Sequence, residues 1–190
     1  MARGWKRLSR KKVYEARDGD TVYMELFQDE LQTPKGKKMR YTHYSSSDVV
    51  VVVPFLDEKR LVMIRQYRYP LDKVMIEFPA GHVEKSESPL ATARRELAEE
   101  TGYRAEKVEH VYDYHPSVSK SRQTVHVYRA TGLKNGKTDH DGTEDIRVEI
   151  VNIGKLEKMI AERKVENAGT LVAYLLCCAG MKINGKGASK

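Results

Sequence analysis

Five consecutive valines, Val49 to Val53, constrain the fold of this chain more than any other part of its sequence. β-branched side chains favour an extended backbone, and a short apolar run that stops at Pro54 predicts a buried strand. Alternating or apolar patterns predict further strands at residues 21–27, 38–44, 61–68, 75–78, 108–114, 124–130 and 146–151. Helices are predicted between Ser88 and Gly102 and near residues 154–164 and 168–181. Strands that flank one central helix, with helices again at the end, predict an α/β sandwich.

Composition and charge exclude several classes of protein. The chain has 190 residues, 32% of them charged, and no apolar run long enough to span a membrane. Its net charge of +7 is concentrated at the ends, since the first twelve residues carry six lysines or arginines and no acid. A basic tail indicates nucleic-acid binding less strongly than a basic folded surface, so nucleic acid is not the expected partner. Cys177 and Cys178 are adjacent and predict neither a disulfide nor a metal site, and the N-terminus lacks the apolar segment of a signal peptide. We therefore expect a cytoplasmic protein.

The segment between Ser88 and Gly102 has clear helix start and stop signals. Ser88 is a favourable N-cap, Pro89 fits the first helical turn, and Gly102 permits the left-handed conformation that ends many helices. Apolar residues at helical spacing predict one buried stripe, formed by Leu90, Ala93 and Leu97. The acidic residues at the end of the helix are expected on the side away from the centre of this stripe.

Three glutamates, Glu96, Glu99 and Glu100, are crowded into the last two turns of the same helix. Carboxylates at these spacings share a face and repel by about a few tenths of a kcal/mol per pair. Arg95 lies four residues before Glu99 and can form an ion pair with it. Carboxylate oxygens held on a rigid backbone are ligands that Mg²⁺ prefers, so the cluster indicates a metal site. The alternative is that these acids simply lie on a solvated face of the helix, as most clusters of charged residues on helices do.

A longer pattern surrounds these acids and is far more specific than the acids alone. Its fixed positions are Gly81, Glu87, Arg95, Glu96, Leu97, Glu99, Glu100 and Gly102. A chance match to so many fixed residues is negligible. The pattern resembles the Nudix box, and it is complete except for Tyr103, where an aliphatic residue is usual.

The resemblance implies a fold, a chemistry and a set of site residues. Nudix proteins are α/β/α sandwiches with a mixed sheet, and this chain is expected to have a small N-terminal antiparallel β-sheet in addition. Members of the family use Mg²⁺ or Mn²⁺ to hydrolyse a nucleoside diphosphate linked to another group. The implied metal ligands are Glu96, Glu99, Glu100 and the backbone carbonyl of Ala80. Glu87 and Arg95 are implied to lock the loop and the helix and are counted, with Glu99, among the catalytic residues. Gly81 is implied to adjoin the substrate.

Segments outside the box resemble the ADP-ribose pyrophosphatases within the Nudix family. These segments are residues 65–81, 143–151 and 166–176. ADP-ribose members commonly have a proline sixteen residues after the last glycine of the box, whereas here Pro116 follows Gly102 by fourteen residues. The implied substrate is therefore ADP-ribose or another nucleoside diphosphate sugar. In that group an N-terminal hairpin forms a swapped homodimer. We therefore expect a dimerisation region at 1–45, a Nudix domain at 46–182 and a flexible tail at 183–190.

Residues outside the box are also implied to act on the substrate. Glu144, or a neighbouring acid of its loop, is the implied catalytic base. Arg68 is implied to bind phosphate, with Arg65 as a weaker candidate, because a guanidinium donates two parallel hydrogen bonds to phosphate. Tyr23 and Tyr41 are implied to stack on the nucleobase. The six histidines have no ligand spacing and are assigned no site.

Two other functions remain open on the sequence. The basic N-terminus is compatible with an enzyme that removes pyrophosphate from RNA 5′ ends. A Nudix-fold module that binds a nucleotide without cleaving it is the other alternative. The complete set of acids favours hydrolysis, since silent members usually lose them.

Overall fold

The computed structural model describes residues 4–19, 21–136 and 145–179, and within them the chain forms two compact units. The first unit contains Met1–Asp48 together with His115–Thr124. The second contains Val49–Tyr114 and Val125–Lys190. None of the described helices has the length and apolarity that crossing a membrane requires.

The first unit is built on a three-stranded antiparallel sheet. Its strands are β1 (Lys6–Asp18), β2 (Thr21–Gln32) and β3 (Lys38–Ser46), in the order β1-β2-β3. The predicted strands at 21–27 and 38–44 are thus confirmed, with β2 five residues longer than expected. The expectation that the basic N-terminus is a tail is wrong, because it forms β1. This strand pairs with β2 along its length, and Nε and Nη2 of Arg10 each donate to a different carboxylate oxygen of the buried Asp29 on β2, both at 2.8 Å.

The segment 115–124 belongs to this first unit although it lies in the middle of the sequence. The backbone N–H of Tyr44 donates to the carbonyl of Lys120 at 2.9 Å, and the hydroxyl of Tyr41 donates to the carbonyl of Ser119. Strand β3 therefore holds a distant part of the chain by backbone and side-chain hydrogen bonds.

The second unit contains a mixed sheet, an antiparallel sheet and the described helices. Its elements are β4 (Val49–Pro54), β5 (Arg60–Arg68), β6 (Lys73–Glu77), β7 (Ala80–His82), α1 (Pro89–Thr101), β8 (Tyr103–Tyr114), β9 (Val125–Asn135), β10 (Ile146–Asn152), α2 (Ile153–Ala161) and α3 (Ala168–Cys177). The mixed sheet has the order β7-β4-β9-β8, with β4 and β9 parallel, and the antiparallel sheet has the order β10-β5-β6. The predicted α/β class, with a mixed sheet and a small N-terminal antiparallel sheet, is confirmed.

The valine run forms β4 and is buried on both faces, as a central strand must be. Val50 and Val52 pack with Ala93 and Leu97 of α1. The alternate valines, Val51 and Val53, pack in a second cluster that includes residues of α2 and α3. Helix α1 is thereby fixed against one face of β4, and the loop that precedes α1 is fixed with it.

Some boundaries and one core residue differ from the sequence-based expectation. Leu90 is 40% exposed, so the buried stripe of α1 consists of Ala93 and Leu97 without it. Leu90 lies in the first turn of α1, two residues after the N-cap Ser88. Helices α2 and α3 end three and four residues earlier than predicted.

Candidate active site

Helix α1 begins and ends as its capping residues predict. The Ser88 hydroxyl oxygen accepts a hydrogen bond from the backbone N–H of Ala91, and Pro89 is the first helical residue. Gly102 has a left-handed φ of 74°, and its N–H donates to the carbonyl of Ala98. These caps set the length of the helix and so the position of the acidic residues in its last turns.

Strand β7 places Gly81 directly beneath the carboxylate of Glu96. A Cβ atom on Gly81 would lie 1.9 Å from Oε1 of Glu96 and 2.0 Å from its Cδ. These separations are far inside van der Waals contact, so a side chain at position 81 and the observed position of the carboxylate are incompatible. Glycine is therefore needed here for close approach rather than for an unusual backbone angle.

Glu100 is the buried member of the acidic cluster. It is only 4% exposed, and its Oε2 accepts a hydrogen bond from the backbone N–H of Ala80 at 2.9 Å. The expectation that all three acids lie away from the centre of the apolar stripe is therefore wrong for Glu100. Helical spacing gives the reason, because Glu100 follows Leu97 by three residues and Ala93 by seven and so continues the apolar stripe, where strand β7 covers it.

One guanidinium holds three carboxylates of the site. Arg95 donates from Nε and Nη2 to Glu87 at 3.1–3.2 Å. Its Nη1 lies 2.8 Å from Oε1 of Glu96 and 2.8 Å from Oε2 of Glu99. Thr92 adds a hydroxyl hydrogen bond to Glu87 at 2.9 Å. The predicted locking of loop to helix by Glu87 and Arg95 agrees with these contacts.

The same contacts shift the protonation of both locking residues. Hydrogen bonds from Arg95 hold the pKa of Glu87 below its ordinary value of 4.5. Partial burial alone would lower the pKa of Arg95, but the hydrogen bond to Glu87 and the charges of Glu96 and Glu99 outweigh it and raise that pKa. The ion pair therefore stays charged across the neutral range.

The donor set fits a hard divalent cation. The carboxylates of Glu96, Glu99 and Glu100 and the backbone at Ala80 offer oxygen atoms only, which is the ligand type of Mg²⁺ and Mn²⁺. Glu96 and Glu99 already converge on one cationic atom, Nη1 of Arg95. Strand β7 and helix α1 are both packed on β4, so these oxygens are held by a rigid frame.

The two arginines predicted to bind phosphate are both engaged in ion pairs. Arg68 donates from Nε and Nη2 to the two carboxylate oxygens of Glu77, at 3.0 and 2.8 Å. Glu77 is only 2% exposed. The sequence analysis does not include it, although an acid at the end of an apolar strand next to the box could have indicated a buried partner for an arginine. Arg65 donates to Glu149 at 2.6 Å across β5 and β10.

The remaining predicted site residues are Tyr23, Tyr41 and Glu144. Tyr23 and Tyr41 belong to the first unit, where Tyr23 is 49% exposed and the ring of Tyr41 has the ammonium of Lys120 at 5.6 Å from its centre. Glu144, the predicted base, lies outside the described residues. Its role therefore stays a prediction.

Comparison with known proteins identifies the family. A model of the NUDIX domain matches residues 46–173. The chain is 33% identical over 152 residues to the ADP-ribose pyrophosphatase of Bacillus subtilis (strain 168), covering 79% of this chain and 82% of that protein. It is 32% identical, with the same coverage, to the methanol dehydrogenase activator of Bacillus methanolicus.

A solved structure supports the architecture. The fold superposes on a crystal structure of an ADP compounds hydrolase with a TM-score of 0.81 over 92% of both chains. At 19% identity this likeness concerns the fold alone. Together with the matched domain and the relatives, it leads to one conclusion: the chain belongs to the NUDIX domain family.

Proposed function

We propose that the protein hydrolyses the pyrophosphate bond of ADP-ribose or another nucleoside diphosphate sugar, giving a nucleoside monophosphate and a sugar phosphate. One observation carries the proposal: at the end of α1, Glu96 lies against Gly81 and Glu100 accepts a hydrogen bond from Ala80 of β7, while Arg95 pairs with Glu96 and Glu99. The similarity to an ADP-ribose pyrophosphatase supports the same substrate class.

The side chains around the acidic end of α1 would have two roles, metal binding and positioning of the metal ligands. Glu96, Glu99, Glu100 and the carbonyl of Ala80 would hold Mg²⁺ or Mn²⁺. When bound, such an ion neutralises the charge of the diphosphate and favours attack of water on phosphorus. Arg95 and Glu87 keep the carboxylates at fixed positions, which avoids the cost of ordering them during the reaction.

Three further roles belong to this proposal. Glu144, or a neighbouring acid of its loop, would accept a proton from the attacking water. Arg68 would bind phosphate, with its guanidinium plane oriented by the two hydrogen bonds to Glu77. Tyr23 and Tyr41 would stack on the nucleobase, and such stacking tolerates several bases.

A substrate panel tests the proposal. ADP-ribose, GDP-mannose and 5′-triphosphorylated RNA are incubated with the protein and Mg²⁺ or Mn²⁺, and products are separated by ion-exchange chromatography. We expect a nucleoside monophosphate and a sugar phosphate from at least one nucleotide sugar, with ¹⁸O from labelled water in one of the two products. Turnover of RNA alone would contradict the substrate class, and nucleotide binding without turnover would favour a silent module.

Glu100→Gln is the matched variant for this assay. Its amide keeps the size of the side chain and can still accept the hydrogen bond from Ala80, but it removes the charge that a cation needs. We expect turnover to fall at least about 100-fold with a folded protein, since even indirect metal partners cost about 10–100-fold. An unchanged rate would exclude Glu100 as a ligand.

We also propose a homodimer formed through residues 1–45. Apolar side chains lie exposed on the first unit, and solvent-exposed apolar residues on long strands are typical of interfaces. They are Leu8, Val13, Tyr14, Tyr23 and Met39. Light scattering should give a dimer for the full chain and a monomer, or an insoluble protein, after deletion of residues 1–45. A deletion variant that stays dimeric and active would refute this interface.

A further inference from the structure

Two histidines and an aspartate converge on the mixed sheet, at a place that the Nudix chemistry does not use. His110 Nε2 lies 2.6 Å and His126 Nδ1 lies 2.7 Å from the same oxygen, Oδ1 of Asp113. One ligand atom from each of the three residues falls within 4.8 Å of the others. The side chains of His110 and Asp113 are 39% and 48% exposed, and that of His126 is 16% exposed, so ions can reach the cluster from solvent.

A register shift in β8 creates this cluster. Residues three apart on a regular strand point to opposite faces, so His110 and Asp113 would be separated by the sheet. Here His110 pairs with Tyr128 and Tyr112 pairs with Val127, so one extra residue of β8 is accommodated between them. Such a bulge turns Asp113 to the same face as His110. This explains why the sequence alone assigns no site to the histidines.

The cluster lies on the same face of the sheet as helix α1. Asp113 pairs with His126, His126 with Val50, and Val50 with Gly81, so these four residues form one row across β8, β9, β4 and β7. Val50 packs against α1, and Gly81 lies beneath Glu96 of that helix. Two strand spacings separate His126 from Gly81, which is about 10 Å. The cluster is therefore distinct from the acidic end of α1.

The donor atoms differ in kind from those of the acidic cluster. Imidazole nitrogens suit Zn²⁺ and its first-row neighbours, whereas Mg²⁺ prefers oxygen ligands alone. Tetrahedral Zn²⁺ sites with three protein ligands keep a fourth position for water or an anion. Ligands about 2.0–2.1 Å from such an ion lie about 3.3 Å apart. The ligand atoms of the three side chains are separated by 2.6 Å to at most 4.8 Å, a range that includes this value. Small side-chain rotations would therefore be enough to coordinate the ion.

We propose that His110, Asp113 and His126 form a second metal site that binds Zn²⁺, or a first-row ion of the same ligand preference, independently of Mg²⁺. Strands β8 and β9 are hydrogen-bonded neighbours, so the two histidines and the aspartate are held on a common rigid surface. The bound ion links β8 to β9 and leaves a coordination position facing the side of the sheet that carries α1.

Calorimetric titration of Zn²⁺ into the Mg²⁺-saturated protein tests this site. We expect one Zn²⁺ per chain for the wild type and at least tenfold weaker binding for His126→Ala and for Asp113→Asn. Asp113→Asn keeps the shape of the side chain, so it separates loss of a ligand from loss of the fold, which circular dichroism monitors in both variants. His115→Ala is the matched control, because it removes a histidine that is not part of the cluster and whose Nδ1 lies 3.0 Å from the carbonyl oxygen of Gln123.

Two further controls test whether the cysteines or the acidic end of α1 bind the zinc. Cys177 and Cys178 are half-buried, and burial raises the pKa of their thiols to about 12 and about 11, so neutral thiols are expected at pH 7. Cys177→Ser/Cys178→Ser and Glu100→Gln should both keep wild-type Zn²⁺ affinity. The proposal is overturned if the wild type binds no stoichiometric Zn²⁺, if His126→Ala and Asp113→Asn bind it as tightly as the wild type, or if only Glu100→Gln or the double serine variant loses it.

Discussion

Replacement of Gly81 by alanine separates the chemistry of the site from the stability of the fold. The new Cβ would lie 1.9 Å from Oε1 of Glu96, whereas ordinary contact begins at 3.4 Å, so the carboxylate must move by about 1.5 Å. The obstacle is the end of a flexible side chain and not backbone, so the helix and strand can stay in place. Alanine in a strand is also favoured over glycine by about 0.5–1 kcal/mol. We therefore expect a melting temperature close to that of the wild type.

Activity should respond very differently. A misplacement of about 1 Å can cost about 100-fold in rate, so Gly81→Ala should lower kcat/KM by about that factor or more. It should also raise the Mg²⁺ concentration needed for half-maximal rate. Both quantities are measured with ADP-ribose, and melting is followed by circular dichroism. Gly154→Ala is the matched control, since its Cβ would meet only Oδ1 of Asn152 at 3.4 Å.

Wild-type kcat/KM and wild-type Mg²⁺ dependence in a folded Gly81→Ala protein would mean that the position of the Glu96 carboxylate does not matter. Glu96 would then be excluded as a metal ligand. A Gly81→Ala protein that does not fold would contradict the claim that only a side chain has to move.

The remaining predictions concern the ion pairs of the second unit. Arg68→Ala removes the guanidinium that donates two hydrogen bonds to the buried carboxylate of Glu77, which should cost about 1–3 kcal/mol of stability and lower the melting temperature by about 2–12 °C. Arg68→Ala/Glu77→Gln should recover part of the loss, and no recovery would contradict the pairing. Arg95→Lys should lower kcat about tenfold or more with little change in KM, because one ammonium cannot replace a guanidinium that contacts three carboxylates; equal kcat values would refute this. Because Arg95 lowers the pKa of Glu87 below 4.5, the Glu87 carboxylate contributes stability above pH 4.5 that is lost as the pH falls through the lowered folded value. The difference in melting temperature between wild type and Glu87→Gln should therefore shrink between about pH 6 and about pH 3, and a constant difference would contradict the ion pair.

Local signals were sufficient for the central strand and for helix α1. The valine run of β4, the Ser88 cap and the Gly102 stop each depend on neighbouring residues only, and the structure confirms all three. The strand β1 was missed because its lysines and arginines do not alternate with apolar residues. Its contacts with β2 are long-range instead, such as that of Arg10 with Asp29, nineteen positions away.

Strand and helix patterns and fixed motif spacings are local properties of a chain, so the sequence was enough for the α/β class, for the family resemblance and for the glutamates at the end of α1. The mixed sheet followed from that resemblance. The tertiary structure was needed to show that Glu100 is buried against the backbone of Ala80 and that Gly81 lies beneath Glu96. It likewise decided that a bulge brings His110 and Asp113 to one face with His126. These features depend on which strands become neighbours and in which register, and register is set by packing between residues far apart in the sequence.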